Sequence, residues 1–359
     1  MTISARYFQV SIVLSAFLLF LVQPIIAKQI LPWFGGSASV WNTCLFFFQF
    51  VLLLGYIYAH ALIRWATVRQ QTVIHLVLLS LSLLSLPVIA SATWRIGHGD
   101  PALRILLLLS TTVGLPYFLL SATSPLLQAW YFRTKSTPYR LFALSNAASL
   151  VGLLAYPFVL EPELTTPRQA KLWSAGFVVF AVTCAVVAVL SARVSIRRPE
   201  AGATKSGNDA ALPTVAQQVA WVILSALGSL ALVSVTSFVA RNIASMPLIW
   251  VVPLAIYLIT FVLAFGRGQY RGWPIAGPAL ILGLLMAASY QNEVWISPLW
   301  SLPIFMAGLF CVCLYCHGEL AASKPDPSHL TAFYILVSLC GARTLPASDP
   351  KAPPSATRM

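Results

Sequence analysis

The amino-acid sequence predicts an all-α fold, a polytopic bundle of membrane-spanning helices. Three observations predict it. Of 359 residues, 59% are hydrophobic and 9% are charged, against roughly 25% charged in a soluble domain. So small a polar surface cannot face water on all sides. Apolar runs long enough to cross a bilayer core recur along the whole chain. The runs are also continuous, which excludes outer-membrane barrels, whose strands alternate apolar and polar residues.

The first run, 8–31, follows Arg6. It is too long for the 7–15-residue apolar core of a signal peptide, so it reads as an uncleaved first span. Full spans are expected next at 40–62, 72–92, 104–130, 141–160 and 171–192. Then comes 193–214, "RVSIRRPEAGATKSGNDAALPT", which is polar, basic and rich in small residues, as a flexible linker is. Further spans are expected at 215–239, 247–266, 272–291 and 296–316, which makes ten in all. An eleventh run, 329–342, is too short to cross comfortably. The expected organisation is an N-terminal six-span half (1–192), a cytoplasmic linker (193–214), an incomplete second half (215–342) and a Pro-rich disordered tail (343–359).

The net charge is +13. The basic residues stand singly or in pairs between apolar runs, so a nucleic-acid partner is not expected. Charge sets orientation instead. With the N-terminus in the cytoplasm, the inner segments hold Arg6, Arg64, Arg69, Arg133, Lys135, Arg140, Arg193, Arg197, Arg198, Lys205, Arg267, Arg271 and Lys324. The outer segments hold only Lys28, Arg95, Arg104, Arg168, Lys171 and Arg241. A cytoplasmic N-terminus and linker follow.

One motif invites a cofactor. "CVCLYCHGEL" contains Cys313, Cys316 and His317 as C-x-x-C-H, the attachment signature of a c-type haem. Haem attachment needs an exported, accessible segment. Here the motif closes the tenth span at its cytoplasmic end, so neither haem nor any other cofactor is expected. Metal binding is not expected either, because only His317 and Glu319 stand near the cysteines.

Amides inside apolar spans are expensive unless they are paired or wet. They single out Gln23, Gln49, Gln128 and Asn146, with Ser124 on the proline-containing span "GLPYFLLSATSPLLQAW" and the interfacial cations Lys28 and Arg241. These residues are the candidate lining of one central cavity. On a helix Gln23 and Lys28 lie about 140° apart, so Gln23 is the better candidate for the axis and Lys28 turns to the outer mouth. Ser145/Ser149 and Ala148/Gly152 are small residues four apart, a close-packing signal. "IAKQILPWFGGSASVW" (26–41) and "VARNIASMPLIW" (239–250) echo each other and pair Trp41 with Trp250, as internal duplication would. No P-loop, nucleophile elbow, HExxH or G-x-G-x-x-G occurs.

Several stretches together carry a family resemblance: "FGGSASVWNTCLFFFQFVLLLGYIYAH" (34–60), "LPYFLLSATSPLLQAWYFR" (115–133), "YRLFALSNAASLVGLLAYPFVLEP" (139–162), "IASMPLIWVVPLAIYLITFVLAF" (243–265) and "CHGELAASKPDPSHLTAFYILVSLCG" (316–341). They resemble the membrane portion of the bacterial fused major-facilitator/spermidine-synthase-like family. The resemblance implies a major-facilitator-like bundle in the bacterial inner membrane, with the lipid bilayer as its partner. In that family a cytoplasmic aminopropyltransferase-like domain follows the bundle, with a glycine-rich nucleotide turn and acidic residues. This chain carries neither, so enzymatic activity is not expected. The pattern stops near Gly341, as a frameshift or premature end would make it. Three functions are therefore expected in order: small-molecule transport by alternating access, a membrane anchor for a separate soluble synthase-like protein, or an inactive truncated fragment.

Overall fold

The computed structural model describes residues 5–35, 38–95, 99–133, 139–197, 213–242, 250–266, 270–291 and 297–343. Regular structure among the described residues is all helical. The first half contains α1 (Ala5–Phe34), α2 (Ala38–Trp65), α3 (Val68–Leu83), α4 (Pro101–Phe132), α5 (Tyr139–Glu163) and α6 (Thr166–Arg197). The second contains α7 (Val215–Asn242), α8 (Val251–Phe265), α9 (Trp273–Tyr290), α10 (Pro298–Ala322) and α11 (Leu330–Arg343). Seven of these, α1, α2, α4, α5, α6, α7 and α10, are long and apolar enough to cross a bilayer. The protein is a membrane-embedded helical bundle.

Helix starts follow local chemistry. Thr67 and Gln70 form a capping box ahead of α3. Asp100 accepts from the Ala102 amide at 2.9 Å and Pro101 opens α4. Within α5 the ladder shifts to a π turn over Tyr156–Leu160, where Pro157 supplies no N–H.

Two expected boundaries change. The third span was expected at 72–92, but α3 stops at Leu83. Pro87 disfavours helical backbone at Leu86, and the Ser82 and Ser85 hydroxyls bond back to Leu79 O and Ser82 O, each at 2.7 Å. The non-helical stretch that follows is held by side chains. Gln29 donates to Val88 O at 3.2 Å and accepts from the Ala90 amide at 3.0 Å. Ser174 accepts from the Val88 amide at 3.1 Å. Irregular backbone in an apolar surround survives only with such partners. The second change is at the linker. α6 continues to Arg197, because residues 193–197 contain no helix breaker before Pro199. Residues 198–212 and the tail 344–359 lie outside the described residues.

Packing repeats in the two halves. In the first, α1 packs on α4 and α5, while α2 and α3 pack on α4. In the second, α7 packs on α10 and α11, while α8 and α9 pack on α10. Each helix of the second half thus plays the role of the one six places earlier. The halves meet along two seams, α2 against α11 and α5 against α8. Because α2 corresponds to α8 and α5 to α11, the seams are exchanged by a pseudo-two-fold axis. The enclosure is unequal. The most apolar stretch of α1 is 67% buried and that of α7 is 22% buried. In the first half α6 covers α1 and α3, with the Trp173 indole donating to Leu18 O at 2.8 Å. Among the described residues no helix covers the matching sides of α7 and α9.

Candidate functional site

Some of the polar side chains of the spans lie near the contact between the halves. At one end, Trp41 at the start of α2 meets Trp250 just before α8, with ring centroids 5.6 Å apart. These two tryptophans are counterparts across the pseudo-two-fold. Beneath them Gln23, Ala27, Cys44, Leu45 and Phe48 complete a chamber with room for about one water. The Gln23 amide donates to the Tyr117 hydroxyl of α4 at 3.3 Å and reaches Leu19 O at 3.5 Å. Phe48 packs on Tyr117 at 4.9 Å, so α2 and α4 hold the amide's partner in place.

Four aromatic rings close the other end. Tyr56 follows Trp41 at the same spacing, fifteen residues, as Phe265 follows Trp250. Tyr56 meets Tyr334 across one seam at 5.6 Å, and Phe142 meets Phe265 across the other at 4.4 Å. Phe142 also touches Tyr334 at 5.4 Å, which joins the two seams. His60 and Thr331 tie α2 to α11 beside them, at 2.8 Å.

A polar cluster lies behind these rings. Gln128 donates to the Ser124 hydroxyl at 2.9 Å, and Ser124 donates to Ser145 at 3.4 Å. The Tyr334 hydroxyl adjoins Ser124 and Gln128. Among the described residues, neither that hydroxyl nor Gln128 Oε1 has a well-formed hydrogen bond, and both are buried. An unsatisfied buried polar group costs about 1–3 kcal/mol, so the cluster holds polar capacity that packing alone does not require.

The other predicted site residues fall elsewhere. Lys28 pairs with Glu161 at 2.9 Å, joining the ends of α1 and α5. Asn146 donates back to Phe142 O of its own helix at 2.9 Å. Gln49 is exposed on the outer flank of α2, beside the stacked rings of Phe46 and Phe50. It is not brought to the chamber, because the turn of α2 that presents Trp41, Cys44 and Phe48 inward carries Gln49 away. Arg241 lies on the last turn of α7, and its side chain is outside the described residues.

The C-x-x-C-H segment lies inside α10, packed against α7 and α8. Cys313, Cys316 and His317 are buried. Cys313 reaches Gly228 O at 3.7 Å, and His317 Nδ1 lies 2.9 Å from the Thr260 hydroxyl. The ring of Phe261 stacks on the imidazole at 3.6 Å. Glu319 is engaged by Arg271 in a two-pronged pair at 3.0 and 3.2 Å. No three His, Cys, Asp or Glu side chains converge among the described residues.

A second polar network was not anticipated from the sequence. Gln71 and His75 are both buried one turn apart on α3. Gln71 Oε1 accepts from the Trp130 indole and from Arg133, each at 3.0 Å. His75 lies 3.2 Å from the Tyr58 hydroxyl and 3.5 Å from the Cys184 thiol. The i, i+4 spacing of an amide and an imidazole on an apolar helix was the available signal.

A scan against protein-family models finds no match, and a search of curated proteins finds no significant relative.

Proposed function

We propose that the protein is a transporter-like inner-membrane protein of major-facilitator type, in which two helix halves rock about the seam to pass a small molecule. The observation that carries this reading is the pseudo-two-fold. Paired halves with a polar site at their interface are the common design of secondary transporters. The resemblance of the sequence to the spermidine-synthase-like fusion family supports the same reading. The charge distribution supports a cytoplasmic N-terminus; in that orientation the Trp41–Trp250 pair would face the outer side and the Phe142–Tyr334 cluster the inner side. Catalysis is not assigned to this chain.

A second reading has its own observation. The chamber holds about one water and aromatic rings close both ends. A closed bundle suits a membrane anchor for a separate soluble synthase-like partner.

One experiment separates them. In Trp41→Cys/Trp250→Cys protein the outer pair is bridged by a short bifunctional thiol reagent. A third cysteine at the buried Thr331 reports the inner seam in inside-out vesicles. Rocking predicts that bridging the outer pair speeds Thr331→Cys labelling by tenfold or more. Unchanged, slow labelling supports the anchor and removes the transport reading.

A further inference from the structure

The contacts of Thr260 favour one tautomer of the His317 imidazole. Thr260 donates its single hydroxyl proton to Tyr257 O at 2.7 Å. The same oxygen lies 2.9 Å from His317 Nδ1, so Nδ1–H is the donor there. Nε2 is then a bare acceptor. It is fully buried and has no hydrogen-bond partner among the described residues. It points at α7, where Gly228 leaves the space open: a Cβ at that position would come within 3.3 Å of Nε2.

We propose that His317 Nε2 is a proton-binding site, and that taking up a proton from water separates α7 from α10. The protonated ring is a cation whose new N–H has no acceptor in the present packing. From α7 the facing residue is Gly228, and the charged residue of that helix, Arg241, lies at its far end. From α8 it meets Tyr257, Thr260 and Phe261, and Tyr257 is the titratable one. α9 carries Tyr290 at its last position as its titratable residue. On α10 itself, Cys313 and Cys316 are buried thiols, and Glu319 is held by Arg271. None of these compensates a buried imidazolium, and an uncompensated buried charge drives the structure toward a state in which water reaches it.

That state requires α7 to leave α10. The contacts that part are Cys313 to Gly228 O and the Trp221 indole to Ser323 O at 3.0 Å. The sign follows: the packed form binds fewer protons than the parted form, so it is favoured at high pH and lost as pH falls. The movement has a route to the seam. Phe261 stacks on His317 and meets Phe142 of α5 edge-on at 5.7 Å. This inference does not depend on a transported substrate.

The test uses the full chain in lipid nanodiscs, with ¹⁵N-labelled histidine and, separately, spin labels at the exposed positions Val215 and Ala322. These sites lie near the Trp221–Ser323 contact at the start of α7 and the end of α10. The chain has five histidines, so the His317 signal is assigned by its loss in His317→Gln. On lowering the pH from 8 to 5, that signal should convert to imidazolium and the spin–spin distance should widen beyond its width at pH 8. Both changes should be missing in His317→Gln, whose folding is checked by retention of the Trp41/Trp250 cysteine bridge. A His317 signal that stays neutral throughout overturns the proposal, as does widening that survives in His317→Gln. If His317 titrates and α7 parts while the outer-bridge experiment shows no rocking, the transport reading falls and the proton site stands.

Discussion

At Gly152, α5 comes close to the backbone of α1. A Cβ there would lie 2.6 Å from Phe17 O, a rigid backbone atom. Gly152→Val should therefore destabilise the protein by about 1–3 kcal/mol through overpacking, read as a lower melting temperature in detergent. At the cluster of Gln128 and Tyr334 the direction reverses. Gln128→Leu combined with Tyr334→Phe removes both unsatisfied polar atoms, and replacing such groups with apolar ones is near neutral or stabilising. The double variant should melt at or above the wild-type temperature. If the cluster serves transport, it should do so with transport lost, the usual trade between stability and a working site.

At the scale of the helices, the informative features are ties between elements distant in sequence. Lys28 and Glu161 are about one-third exposed, so the pair is expected to contribute about 0–1 kcal/mol. Lys28→Met should lower the melting temperature slightly, and adding Glu161→Leu should recover most of the loss by removing the unpaired carboxylate. A double-mutant cycle with a coupling well above about 1 kcal/mol, or of opposite sign, would contradict this expectation. α3 shows how such ties override local pattern. The apolar text after Leu83 continues to about residue 92, yet the helix ends, because Pro87 and the serines break the ladder while Gln29 and Ser174 satisfy the exposed backbone.

For the whole molecule, the pseudo-two-fold explains why side chains from α2, α5, α8 and α11 form the interface. The same operation that pairs Trp41 with Trp250 pairs the Tyr56–Tyr334 contact with Phe265–Phe142. The proposed orientation gives a separate expectation. A cysteine placed at Ser206 should resist a membrane-impermeant thiol reagent in intact cells and react after permeabilisation. Prompt labelling in intact cells would invert the topology and exchange the outer and inner ends of the seam.

The sequence by itself determined the class. Hydropathy over twenty residues reports a local physical demand, that a helix in lipid satisfy its own backbone, so the helices were legible one by one. Trp41 and Trp250 were legible as counterparts because duplication leaves a linear trace. What the tertiary structure alone decided is which polar residues meet. Gln49 and Gln128 look alike in the text, yet one lies on the outer flank and the other is sealed beside Ser124 and Tyr334. Lys28 finds Glu161, and His317 Nε2 is left without a partner among the described residues, through contacts between residues far apart in the chain. Such pairings depend on how each helix is rotated about its own axis. That rotation is set by the sum of many packing contacts, such as Gly152 against Phe17, and no single stretch of sequence encodes it.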